Sequence, residues 1–169
     1  MKHNYSIKNK NVLLRPLYEK DIELLRNWRN DKKNTKFLRQ IPFITHEAQK
    51  QWYEKYLNNN DEICFAIEEC KELNCLVGSL SLYNFKGNTA EFGKILIGDK
   101  EAHGRQIGFN ATVAALKIAF DDLDLKRVVL EVYENNLPAK RIYEKAGFIF
   151  KYVLREDEIG KALLYEMSV

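Results

Sequence analysis

Three apolar runs, Ile63 to Ile67, Leu76 to Leu82 and Ala90 to Ile97, follow one another with only short connections rich in Asn, Gly and Lys between them. Connections of that kind join antiparallel neighbours, so the middle of the chain reads as a three-strand meander. After Gly98 the period changes: a helical stripe runs from about Ile107 to Phe120, and Arg127 to Tyr133 is again a strand. A strand–helix–strand unit brings its second strand back parallel to the first, so one sheet must hold both kinds of pairing. Upstream, Val12 to Leu17 reads as a strand closed by Pro16. Ile22, Leu24, Leu25 and Trp28 then form a helical stripe, and Thr45 stands as a cap before a second helix carrying Trp52, Tyr53, Tyr56 and Leu57. Downstream, a short helix precedes strands near Phe148 to Leu154 and Ala162 to Met167. The order βααβββαβαββ predicts an α/β (α+β mixed) fold, with a central sheet of six to seven strands and helices on both faces.

A chain of 169 residues, 46% of them hydrophobic, can bury one sizeable core, and no Pro/Gly/Ser-rich stretch divides it. Residues 1–169 are read as a single domain. The net charge of +3 comes from 27 basic and 24 acidic residues spread along the chain, which gives no reason to expect nucleic acid as a partner. Cys64, Cys70 and Cys75 are odd in number and lack paired Cys-x-x-Cys or His spacing, so neither a disulfide framework nor a metal site is expected. Met1 to Asn11 is polar, and no apolar run approaches the ~18 residues that span a bilayer. The expectation is a cytoplasmic protein with no membrane partner.

The segment Glu134-Asn-Asn-Leu-Pro-Ala-Lys-Arg-Ile-Tyr-Glu-Lys-Ala-Gly-Phe148 delimits one short helix. Asn135 and Asn136 are candidate caps, Pro138 suits the first turn and Gly147 the stop. Ala139, Ile142, Tyr143 and Ala146 recur at offsets of three and four, which turns Tyr143 inward with a hydroxyl that needs a partner. A second polar constellation is His103-Gly104-Arg105-Gln106-Ile107-Gly108, just ahead of the long helix. Unpaired amides and the positive end of a helix favour an anion there, and Arg105 is expected to add a full charge, although glycine turns also open helices without any ligand. Third, Glu131 interrupts the apolar strand Val128-Val129-Leu130-Glu131-Val132. A carboxylate buried in a central strand has a raised pKa, as a general base near neutrality requires, unless it lies near the strand end and pairs with Lys126, Arg127 or Lys145. Glu91, at the start of its strand beside a polar loop, is the competing base.

With their order along the chain, these features closely resemble the GNAT acyltransferases, through the glycine loop opening a helix after a meander, the acidic strand, and Asn136-x-x-Ala139-x-x-x-Tyr143-x-Lys145-x-Gly147-Phe148. The resemblance implies acetyl-coenzyme A as cosubstrate, held where two neighbouring strands splay apart, and no metal. It implies that Leu96 and Ile97 give backbone contacts to the pantetheine arm and that His103, Gly104, Arg105, Gln106, Ile107 and Gly108 hold the pyrophosphate. Asn136 contacts the cosubstrate, and Tyr143 lies near the sulfur as the acid that protonates the leaving thiolate. Glu131 is the implied base. The family loop usually reads Gln/Arg-x-x-Gly-x-Gly/Ala; here His103 takes the first position and Gln106 replaces the first glycine, so binding depends on the local dihedrals suiting a residue with a Cβ.

Within that family, Leu24-Leu25-Arg26-Asn27-Trp28-Arg29-Asn30, His46-x-x-x-x-x-Trp52 and Leu130-Glu131-Val132-Tyr133-Glu134-Asn135-Asn136 resemble the amino-sugar N-acetyltransferases of the pseudaminic acid pathway, which serve flagellin glycosylation or surface polysaccharide. That resemblance implies a small-molecule acceptor, the 4-amino group of a UDP-linked 4-amino-4,6-dideoxy-N-acetylhexosamine. Trp28 and Arg29 are the candidate substrate contacts, the guanidinium of Arg29 matching a diphosphate. Three alternatives stay open: N-terminal acetylation of a protein, as by the ribosomal-type enzymes, acetylation of spermidine, and a non-catalytic acetyl-coenzyme A-binding module. The terminal strands are candidates for pairing in a homodimer.

Overall fold

Alternation along one strand generates the layers. In β3 (Glu62–Glu69), Ile63, Phe65 and Ile67 enter the larger core cluster while Cys64 and Ala66 enter a smaller one, as the period of two in an extended chain dictates. The computed structural model describes residues 2–35, 37 and 42–169. Around β3 stand β1 (Ile7–Asn9), β2 (Val12–Pro16), β4 (Cys75–Lys86), β5 (Thr89–Ile97), β6 (Arg127–Tyr133), β7 (Ile149–Asp157) and β8 (Gly160–Ser168). They form one sheet in the order β1-β2-β3-β4-β5-β6-β8-β7.

The α/β expectation holds, and the sheet has eight strands rather than six to seven. The added strand, β1, is only three residues long and owes its place to pairing with β2, so it has no apolar period to announce it. Helices α1 (Ile22–Asn30) and α2 (His46–Leu57) cover one face, where Ile22, Leu25, Trp28, Trp52 and Tyr56 meet Cys64 and Ala66 of β3. Helices α3 (Ile107–Lys117) and α4 (Leu137–Ala146) cover the other, with Ile107, Ala111, Ala114 and Tyr143 set into the larger core. Thr45 caps α2 by accepting from the Ala48 amide at 3.1 Å. Gly147 ends α4 in the left-handed region, at φ 105°, where a side chain would be strained.

All neighbouring strands run antiparallel except β5 and β6, which are parallel, as the strand–helix–strand unit requires. That parallel ladder covers only Thr89 to Glu91 against Arg127 to Val129. The cause of its early end lies in β5 itself. Between the pairs Ser79–Leu96 and Ser81–Gly93 the strand carries one residue more than its partner, and Lys94 within this bulge has φ 52°. A bulge bends its own strand and leaves the partner straight, so β5 follows β4 and leaves β6 beyond Glu91. The result is a slot that passes through the sheet from one helical layer to the other.

Candidate active site

A cleft of about 720 Å³ occupies the slot, lined among others by Glu91, Leu96, Glu131, Asn136 and Tyr143. Register assigns these groups to opposite faces. Glu62 on β3 pairs with Tyr83 on β4, Tyr83 with Glu91 on β5, and Glu91 with Val129 on β6, so Glu62, Tyr83, Glu91 and Glu131 share the face covered by α1 and α2. Tyr143 reaches the slot from α4 on the far side, edge-on to Phe92 with ring centroids 5.9 Å apart.

Tyr143 is 7% exposed, and burial pushes its phenol above the ordinary tyrosine value. No hydrogen bond ties its hydroxyl to the described residues, and the residue lines the cleft. A phenol kept neutral this way still carries its proton and can donate it toward an atom on which negative charge develops, such as the sulfur of a leaving thiolate. Asn136 stands beside it as the cap of α4. Its side-chain oxygen accepts from the Ala139 amide at 3.4 Å, which leaves the NH₂ end for the cleft.

Glu131 does not have the environment expected of it. Its side chain remains 31% exposed, and the guanidinium of Arg155 on β7 grips it as a fork, with one contact at 2.6 Å. The burial argument fails because the slot opens β6 to solvent on the α1/α2 face. The ion-pair alternative holds, but with a partner from across the sheet rather than Lys126, Arg127 or Lys145. Glu91 has the opposite setting. Tyr83 donates to it at 2.5 Å and Asn84 at 2.9 Å, and no cation among the described residues pairs with it. Of the two cleft carboxylates Glu91 and Glu131, it is the one without a cationic partner among the described residues.

On the α3 side, the amides of Gln106, Ile107, Gly108 and Phe109 have no acceptor within the described chain, and the first helical bond is Asn110 N–H to the Gln106 carbonyl. Four converging donors at a helix start suit a pyrophosphate. Beyond Glu91, β5 also lacks a ladder on its β6 side, which leaves backbone groups near Leu96 for a pantetheine arm. These features fit acetyl-coenzyme A. Three details differ from expectation. Gln106 holds the left-handed conformation, φ 60° and ψ 19°, that the family meets with glycine, at a cost of about 1–2 kcal/mol. Arg105 is committed to Glu72 and to the Glu101 carbonyl, so it lends the loop no free charge. The His103 ring nitrogen Nε2 lies 3.1 Å from the Ile97 carbonyl oxygen, so these two residues hold each other and Ile97 O is already used.

Trp28 is not in the cleft. Its ring lies flat on Gly98, where a Cβ would come within 2.1 Å of it, and it packs with the smaller core. Its neighbour Arg29 does line the cleft, together with Lys33, and neither pairs with a carboxylate among the described residues. His46 binds Glu23 at 2.8 Å and so ties the start of α2 to α1. Sequence reasoning missed Tyr83, Asn84 and Lys33. The pairing of Tyr83 with Glu91 across a hairpin closed by the turn at Gly87 was the available signal for the first.

The description "Acetyltransferase (GNAT) domain" matches residues 11–149 of this sequence. The chain belongs to the GNAT acetyltransferase family. It is 26% identical over 151 residues to a spermidine N(1)-acetyltransferase of Vibrio cholerae, covering 88% of this chain and 85% of that one, and 27% identical over 137 residues to the Escherichia coli K12 protein of that name, covering 81% and 72%. The crystal structure of spermidine N-acetyltransferase from Vibrio cholerae with CoA and spermine superimposes with a TM-score of 0.85 over 95% of this chain and 96% of that one, at 23% identity. This GNAT protein is an acetyl-coenzyme A-dependent N-acetyltransferase acting on amines. Among its described residues no helix is long and apolar enough to cross a membrane.

In this acetyltransferase a Tyr143→Phe protein is expected to bind coenzyme A with unchanged affinity by calorimetry and to turn over about 10²-fold more slowly, because only the donated proton is removed. Full turnover would remove Tyr143 from the acid role.

Proposed function

We propose that the acceptor is a primary amine on a negatively charged carrier, and that a UDP-linked 4-amino-4,6-dideoxy-N-acetylhexosamine, acetylated at its 4-amino group, is the best match. The observation that carries this reading is the charge arrangement of the cleft. Among the described residues, Arg29 and Lys33 at the α1 side pair with no carboxylate and Glu91 within pairs with no cation. A diphosphate meets the two cations and an amine meets the carboxylate, whereas a polycation such as spermidine would bring like charge against Arg29 and Lys33.

Acetyl-coenzyme A supplies the activated thioester. Glu91 takes the proton that the amine must lose on attack, Tyr143 returns one to the sulfur, and the amides at the start of α3 hold the pyrophosphate. Separate faces for Glu91 and Tyr143 suit this division, since amine and thioester then enter the slot from opposite sides.

A polyamine acceptor is the second reading. It is favoured by the spermidine acetyltransferases to which the chain is similar and by the row of Glu62, Glu91 and Glu131 on the acceptor face. Two of those three are already neutralised, by Lys94 and Arg155, which weakens the row as a cation trap. Turnover of acetyl-coenzyme A with UDP-amino sugars, spermidine, spermine and N-terminal peptides separates the readings. Saturable activity on the sugars, with competition by UDP, supports the first. Activity on polyamines alone, insensitive to UDP, overturns it.

A further inference from the structure

The bulge that opens the slot also carries a side chain to a particular place. Lys94 turns its ammonium to Glu62, at 2.7 Å, and sets it 4.5 Å above the ring of Tyr83. Glu62 is itself buried. Burial works against its charge, yet Lys94 prevails and holds the carboxyl below its ordinary range. Cys64 and Ser81 complete the surroundings, and burial with the nearby Glu62 charge pushes the Cys64 thiol up to about 12, so it stays neutral. The lysine is therefore anchored to a fixed ion, and Tyr83 is clamped beneath it. At the other end of Tyr83 the hydroxyl meets Glu91 at 2.5 Å.

Gly93 explains why the hydroxyl can reach that position. A Cβ there would lie 2.9 Å from the Tyr83 oxygen and 3.3 Å from its ring. The strand thus leaves room for the phenol at the point where it turns toward the carboxylate. A cation over the ring face draws electron density from the phenol and makes its O–H a better donor.

We infer that Tyr83 is the positioning residue for the base Glu91, set by the Glu62–Lys94 pair above it and by the missing side chain at Gly93. The inference rests on the reading of Glu91 as base. Tyr83 fixes one carboxylate oxygen and Asn84 the other, so the carboxylate presents its remaining lone pairs to the cleft in one orientation. Among the described residues, the other charged groups on the face of Glu91 or lining the cleft are Glu62 of β3, Lys94 of β5, Glu131 of β6, and Arg29 and Lys33.

The test is the separate measurement of kcat and of KM for the amine in Tyr83→Phe and Gly93→Ala proteins, with coenzyme A affinity measured alongside by calorimetry. Tyr83→Phe removes the donor; Gly93→Ala keeps it and pushes it aside, which covers the case in which the first variant does not fold. Both are expected to bind coenzyme A as the parent does and to lose about tenfold in kcat with the KM for the amine unchanged. The loss falls on kcat because the carboxylate is misaimed while the groups that bind amine and cosubstrate are untouched. An unchanged kcat in both variants, in a protein whose Glu91→Gln form has lost turnover, overturns the inference alone. Full turnover in Glu91→Gln overturns the base reading beneath it.

Discussion

Replacing Glu91 with Gln is expected to lower kcat by about 10³-fold, within the 10²–10⁴-fold range that a positioned base contributes. The amide keeps the size of the carboxylate and can still accept from Tyr83, so folding and coenzyme A affinity should be those of the parent. Single-turnover kinetics with saturating acetyl-coenzyme A reads the loss directly, and a melting curve checks the fold. The matching change at Glu131 is expected to do far less, because Arg155 already occupies that carboxylate and the pair lies partly in solvent, where such bridges are worth little. A profile in which Glu131→Gln is the slower enzyme would reverse the assignment.

A Gly78→Ala protein should show the largest structural effect of a single methyl group. Gly78 pairs with Ile97, and a Cβ on it would lie 2.2 Å from the Leu96 carbonyl oxygen and 3.2 Å from the Ile97 Cα. Both are backbone atoms of the neighbouring strand, so no rotamer change relieves the contact and β5 itself must move. Overpacking of this kind costs about 3 kcal/mol, which for a chain of this size lowers the melting temperature by roughly 6–12 °C. The strand that moves is the one whose open edge we propose for the pantetheine arm, so coenzyme A affinity should fall with stability. Thermal denaturation with and without coenzyme A measures both. Unchanged affinity in a destabilised protein would separate this stretch of β5 from cosubstrate binding.

The meander, the parallel return of β6 and the limits of α4 were legible because each has a local signature: alternation, a change of period, and the Asn136, Pro138 and Gly147 punctuation. Tyr143 was legible for the same reason, since helical spacing alone turns it inward. The burial expected of Glu131 was not met because burial of a strand residue depends on its neighbours. Glu131 sits in an apolar run, but the neighbour that should cover it has bent away at Lys94, and nothing in a strand pattern marks a residue of ordinary type as left-handed. Arg155 could not be foreseen as its partner because the two lie on strands separated in the sheet by β8. Trp28 was drawn toward the cleft by its neighbour Arg29, yet on a helix adjacent residues point about 100° apart, so one can pack on Gly98 while the other lines the opening.

The short ladder between β5 and β6 makes the sheet two plates joined along a seam of three residue pairs, β1 to β5 on one side and β6, β8 and β7 on the other. Glu91 rides on the first plate and Tyr143, through α4, on the second. The spacing between these two side chains is thus a property of how the plates are set against each other, and a ligand lying in the seam touches both. On the proposed roles of Glu91 as proton acceptor and Tyr143 as proton donor, binding of the cosubstrate and alignment of the two protons are one mechanical event.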